Sequence, residues 1–133
     1  MSVTTLTAVL GEEDYVVSLN ARQHEVLADE PEEIGGKDQG LTPYELILGG
    51  LGSCTSITLK MYAQRKGWKV DDIDVKLEMT TEKGETPVIT RRIKVHGDLA
   101  PDQCDRLLQI ANSCPVHKLL ANPINIESAL FDV

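Results

Sequence analysis

LTPYELILGGLGSCTSITLKMYAQRKGW, residues 41–68, is the stretch from which the rest of the chain can be placed. Its spacing predicts one long helix over 43–66 with Cys54 near the middle. Thr42 is placed to cap it, and Glu45 follows at the third helical position, so the two form a capping box that satisfies two exposed N–H groups. Pro43 falls at the first helical position, where its missing N–H costs nothing. Gly67 follows Lys66 as a left-handed stop. At 1.5 Å per residue such a helix runs about 36 Å. Its first half is apolar or small on every side, the pattern of a helix buried all round. Its second half turns amphipathic, with Lys60, Gln64, Arg65 and Lys66 for water.

Gly49, Gly50 and Gly52 fall inside this helix, and each costs about 1 kcal/mol relative to alanine. Two arrangements would account for them. One is a close backbone approach, such as a second helix crossing there. The other is a break, with Ser53 capping a new helix that begins at Cys54. The apolar periodicity runs straight through, which favours the continuous helix. Either way Cys54 occupies a tight, specific environment.

Upstream, 3–10 (VTTLTAVL), 14–20 (DYVVSLN) and 24–28 (HEVLA) are β-rich runs separated by polar turns, the pattern of an antiparallel meander. Residues 29–40 (DEPEEIGGKDQG) are acidic and Gly-rich and read as a solvated loop. Downstream, Ile73, Val75, Leu77 and Met79 alternate with polar residues, so 73–80 reads as a half-buried strand. Lys83-Gly84 turns the chain, and 88–96 (VITRRIKVH) returns as its hairpin partner. Its apolar row Ile89, Ile93, Val95 is interrupted by Arg91. A charge on the inward side needs a partner, unless a bulge or the sheet edge turns it out.

A second helix over 101–113 carries Leu107, Leu108 and Ala111 on one face. Cys104 shares that face and is expected to be a buried, inert core residue. Cys114-Pro115 stops this helix and starts another over 115–121, with Cys114 as its cap. Residues 124–130 alternate as a last strand. The order is β-β-β-α-β-β-α-α-β, an α+β chain with antiparallel sheets around a long central helix.

Composition bounds the function. At 133 residues the chain, 1–133, reads as a single domain large enough for a real core. A net charge of −8 and few aromatics argue against a nucleic-acid partner. No apolar run reaches the ~18 residues a membrane span needs, and the N-terminus lacks the pattern of a signal peptide. Three widely spaced cysteines make no disulfide framework, so a cytoplasmic location with reduced thiols is expected.

The chemistry falls to Cys54 and Cys114. Cys114 at a helix start faces exposed N–H groups, which lowers a thiol pKa, and His117 lies in the same first turn. Cys54 in mid-helix has no such help and would need a nearby cation or donor. The two thiols fit a redox pair, a three-ligand metal site completed by His117, or two unrelated core residues, and spacing alone does not choose.

TPYELILGGLGSCTSITLKMYAQRKGW together with IANSCPVHKLL resembles the OsmC/Ohr family of organic-hydroperoxide-handling proteins, over nearly the whole chain. That resemblance implies an intertwined homodimer with two long helices at its centre and active sites at the interface. The glycine face would then be the helix crossing. It implies Cys54 as peroxidatic and Cys114 as resolving cysteine, closing to a disulfide that an external dithiol, often a lipoyl-bearing protein, reduces, with no cofactor or metal. Leu51 and Ile57, with Tyr44 and His117, would line the site for an alkyl peroxide. The family's glutamate ten residues before the first cysteine is Tyr44 here, with Glu45 one residue later. Its arginine before the helix is not matched by Arg22, which leaves Arg91 as the substitute. A second implied reading is a binding module of the same fold, with an apolar pocket at the dimer interface.

Overall fold

A computed structural model describes residues 1–130 and divides the chain into two compact units, Met1–Gly49 and a second beginning at Gly50. In the first, β1 (Thr7–Leu10), β2 (Val17–Ala21) and β3 (His24–Ala28) form an antiparallel meander in the order β1-β2-β3. β2 begins three residues later than its β-rich run, because Tyr15 takes a left-handed φ of 69° and Val16 N–H donates to Glu13 O to close the turn.

The acidic loop is less solvated than its composition implies. Asp29 is 1% exposed, and its carboxylate accepts the backbone N–H groups of Glu30 (2.7 Å), Gln39 (3.1 Å) and Lys37 (3.2 Å). Gly36 permits that wrap, since a Cβ there would stand 2.0 Å from Glu30 O. Burial pushes the Asp29 carboxyl up. The N–H groups of Gln39, Glu30 and Lys37, with the Lys37 charge, outweigh it and hold the group below the ordinary 3.8. A depressed folded value means the contribution is fully present above the unfolded pKa and lost as pH falls through the folded one. Asp29→Asn is therefore expected to lower Tm at pH 7 by on the order of 5 °C. Calorimetry at falling pH should show the two proteins converging below pH 3.8.

α1 (Pro43–Lys66) is one unbroken helix of 24 residues. Glu45 N–H donates to Thr42 Oγ1 at 3.2 Å, and Thr42 N–H donates to Glu45 Oε1 at 2.8 Å, which is the expected capping box. Gly67, at φ 72°, ends it, with Trp68 N–H reaching back to Ala63 O. Gly52 is explained by packing: a Cβ there would stand 2.8 Å from Leu77 Cδ1. Among the described residues no crossing element accounts for Gly49 or Gly50, where a Cβ would meet nothing within 4 Å. The first half is also not buried all round, since Tyr44 and Ile47 are exposed.

In the second unit β4 (Lys69–Thr80) and β5 (Val88–Asp98) pair as an antiparallel hairpin, longer at both ends than the alternation alone marks. Its one irregularity lies between Val70 and Asp72, so Arg91, opposite Leu77, is not turned out by a bulge. α2 (Pro101–Ala111) and α3 (Pro115–Leu120) follow. Leu59 and Tyr62 of α1 pack with Leu107 and Ala111 of α2 as the core, bordered by Trp68, Ile73, Ile93 and Val95.

Two further expectations fail. Cys104 is exposed, because the buried stripe of α2 centres on Leu107 and Ala111, leaving Cys104 and Leu108 on its outer edge. Residues 124–130 form no strand, and Ile126 and Leu130 are exposed. Alternation marks a segment fit for a sheet, but a strand exists only where a neighbour supplies N–H and C=O groups. The observed order is β-β-β-α-β-β-α-α. Among the described residues no helix is long and apolar enough to cross a membrane.

Candidate active site

Cys114 is the centre of the site. It is the N-cap of α3, extended at φ −67° and ψ 147°, and its sulfur accepts the His117 N–H at 3.4 Å. The thiol is fully buried. Thr55 Oγ1 lies 3.8 Å from it. Thr55 Oγ1 accepts from Arg91 Nη1 at 3.1 Å, and its single proton is placed to go to Leu51 O, at 2.7 Å, or to the Cys114 sulfur. Cys54, one residue before Thr55 on α1, is half-buried and near enough to Cys114 to lower its thiol. The Cys54 sulfur also sits 4.0 Å from Thr58 Oγ1.

Burial pushes the Cys114 thiol up. The His117 N–H, the Thr55 hydroxyl, the Cys54 thiol and the Arg91 charge together outweigh it and bring the thiol below its ordinary range. The arginine sought for Cys54 thus acts on its neighbour. Arg91 Nη2 donates to Asn112 Oδ1 at 3.1 Å and to His117 Nδ1 at 3.0 Å, so β5, α1, α2 and α3 all converge on one guanidinium.

A cavity of about 390 Å³ opens on this network. Leu51, Ile89, Leu108 and Leu120 give it apolar walls, and Arg91, Asn112 and His117 supply its polar groups. Of the residues expected to meet substrate, Leu51 and His117 line it, whereas Ile57 is exposed outside that lining. Tyr44 and Glu45 belong to the first unit, where the Tyr44 ring is exposed and the Glu45 carboxylate holds the Thr42 N–H. Thr55 and Asn112 escape a reading by sequence. Thr55 carries one available signal, a hydroxyl in an apolar helix beside a cysteine. Asn112, just past the end of α2, resembles any helix-end polar residue.

The Cys54, Cys114 and His117 set suits a metal poorly, since it offers three ligands of the usual four and Arg91, bonded to His117, adds a fixed positive charge. Among the described residues the donors that could hold one are Asp72, Asp74 and His96, whose ligating atoms lie within 4.8 Å of one another on the β4–β5 ladder.

The family model described as OsmC-like protein matches residues 36–129. An OsmC-like protein from Mycoplasma pneumoniae superposes with a TM-score of 0.78 at 20% identity, over 90% of this chain and 88% of that one. An organic hydroperoxide resistance protein from Elizabethkingia anophelis gives 0.68 at 17% identity, over 90% and 88%. An organic hydroperoxide resistance protein OsmC from Legionella pneumophila gives 0.66 at 16%, over 90% of each. At these identities the likeness is one of fold. No curated protein matches the sequence.

Proposed function

The chain belongs to the OsmC-like protein family, and from that premise we propose that it is a thiol-dependent reductase of organic hydroperoxides, acting in oxidative stress defence in the cytoplasm. One observation carries the reading: Cys54, next to Thr55 on α1, lies close enough to the buried Cys114 to help lower its thiol below the ordinary range. The half-buried Cys54 is the sulfur a peroxide can reach. Its thiolate attacks the terminal oxygen of ROOH, forming S–O and breaking O–O. The electron pair leaves on RO⁻, which takes a proton and departs as the alcohol. Cys114 thiolate then attacks the Cys54 sulfenic acid, forming S–S and expelling hydroxide, which leaves as water. An external dithiol, of the kind a lipoyl-bearing protein presents, reduces the disulfide through a mixed disulfide and is itself oxidised. Peptide mapping after one equivalent of cumene hydroperoxide should find Cys54 joined to Cys114. Both cysteines still reduced under prolonged excess would leave the apolar cavity as a binding site and end the reductase reading.

The working form in this proposal is a homodimer built on α1. Ile57 and Met61 are exposed on that helix, and among the described residues a Cβ on Gly50 would meet nothing beyond its own helix backbone within 4 Å. An open glycine beside exposed apolar side chains suits a close approach by a second copy. Light scattering should give about twice the 14.6 kDa chain mass. Gly50→Leu should weaken the association by about 1–3 kcal/mol through overpacking. A wild-type monomer at micromolar concentration would exclude the dimer.

A further inference from the structure

We infer that His117 presents Nε2–H as a fixed, neutral hydrogen-bond donor to the oxygen that leaves the peroxide, and that Arg91 and Asn112 are positioning residues that hold it in this tautomer. The inference rests on the reductase reading above. It begins with proton counting. A guanidinium only donates and keeps its protons in proteins. With Arg91 Nη2 at 3.0 Å from His117 Nδ1, that nitrogen must offer a lone pair. The single proton of the neutral ring therefore sits on Nε2.

The arrangement is braced from several sides. Asn112 Oδ1 takes the second Nη2 proton at 3.1 Å. Thr55 Oγ1 takes one from Nη1 at 3.1 Å and is itself tied to Leu51 O. His117 is also held through its main chain, whose N–H is on the Cys114 sulfur. Its ring lines the cavity, and Nε2 has no partner among the described residues. An oriented donor in a cavity with apolar walls, on the residue whose main-chain N–H holds the Cys114 sulfur, is placed to meet charge that develops during reaction.

In the first step that charge forms on the RO oxygen as O–O breaks. A neutral imidazole can stabilise it by hydrogen bonding without giving up its proton. The proton the alkoxide finally takes is the one the Cys54 thiol released to solvent on becoming thiolate. The donor matters most when the departing oxygen is strongly basic and least when it is not.

Two oxidants separate this role from a structural one. tert-Butyl hydroperoxide expels a strongly basic alkoxide, whereas peracetic acid expels acetate, which needs little help. With the purified full chain, His117→Ala should slow Cys54 oxidation by tert-butyl hydroperoxide on the order of 10²-fold, but oxidation by peracetic acid by less than about 3-fold. His117→Gln, whose amide keeps an N–H near the Nε2 position, should recover to within about 10-fold. Asn112→Ala should give a smaller loss with the same bias toward the alkyl peroxide. Nitrogen NMR should show a lone pair on His117 Nδ1 in the wild type and mixed tautomers in Asn112→Ala. Equal losses with both oxidants, or a proton on Nδ1, would overturn the inference. A wild-type chain that consumes neither oxidant would remove the reductase reading and the leaving-oxygen role with it, while the nitrogen spectrum would still decide the tautomer.

Discussion

Cys54→Ser should abolish hydroperoxide consumption, and Cys114→Ser should consume one equivalent and stop with a sulfenic acid on Cys54. The two outcomes differ because the two sulfurs differ in access. Cys114 is fully buried beneath the His117 N–H, the Thr55 hydroxyl and the Arg91 charge, so it cannot replace Cys54 against a bulky peroxide. Cys54 is half-buried and can still react when its neighbour is serine. Without a resolving thiolate its sulfenic acid persists or climbs to sulfinic acid under excess peroxide. In the wild type the lowered Cys114 thiol gives disulfide closure a sign. Closure should hold as pH falls below the ordinary thiol range and fail only as pH passes below the lowered value. Cys104 is the built-in control. It is exposed, so a reagent that oxidises thiols by access alone would reach it before Cys54. Mass spectrometry of each variant after a single equivalent decides the matter. Disulfide or sulfenic acid on Cys104 with Cys54 intact would sink the assignment.

Local rules carried α1 from the sequence. Thr42, Pro43, Glu45 and Gly67 are short-range signals whose physics is complete within a few residues, and each does in the fold what its type predicts. Cys114 as a helix cap is local in the same sense. The rest depends on partners distant in sequence. An arginine in an apolar row announced a partner, a bulge or a sheet edge without choosing among them, and partners on α1, at the end of α2 and on α3 decide it. Asp29 shows the same limit, since a charge-rich loop gives no sign of which carboxylate will be wrapped by backbone N–H groups. Residues 124–130 fail in the opposite direction, with the right alternation and no ladder among the described residues. Cys104 was misplaced by a smaller margin, because contact spacing on a helix does not say how wide the buried stripe will be.

Arg91→Leu should be the most damaging change outside the cysteines, and its damage should be partly reversible by pH. The guanidinium does two things at once. It places a fixed positive charge beside Cys114, and its fork satisfies Thr55 Oγ1, Asn112 Oδ1 and His117 Nδ1. A leucine removes the charge, so burial, already the largest influence on the Cys114 thiol, faces weaker opposition and the thiol titrates at higher pH. At neutral pH the thiolate fraction falls, and disulfide closure should slow by no more than about 10-fold, because the Arg91 charge is the smallest of the influences that lower the thiol. Raising the pH should restore much of that rate, because the nucleophile is still present and only its protonation has changed. No such recovery is available to Cys114→Ser. The orphaned acceptors should also destabilise the fold by about 1–3 kcal/mol. Arg91→Lys separates the two effects. An ammonium keeps the charge but cannot fork to three acceptors, so the pH profile should stay near wild type while the stability loss remains. A pH–rate profile for Arg91→Leu that falls in amplitude without moving along the pH axis would mean that Arg91 positions the site and does not tune its sulfur.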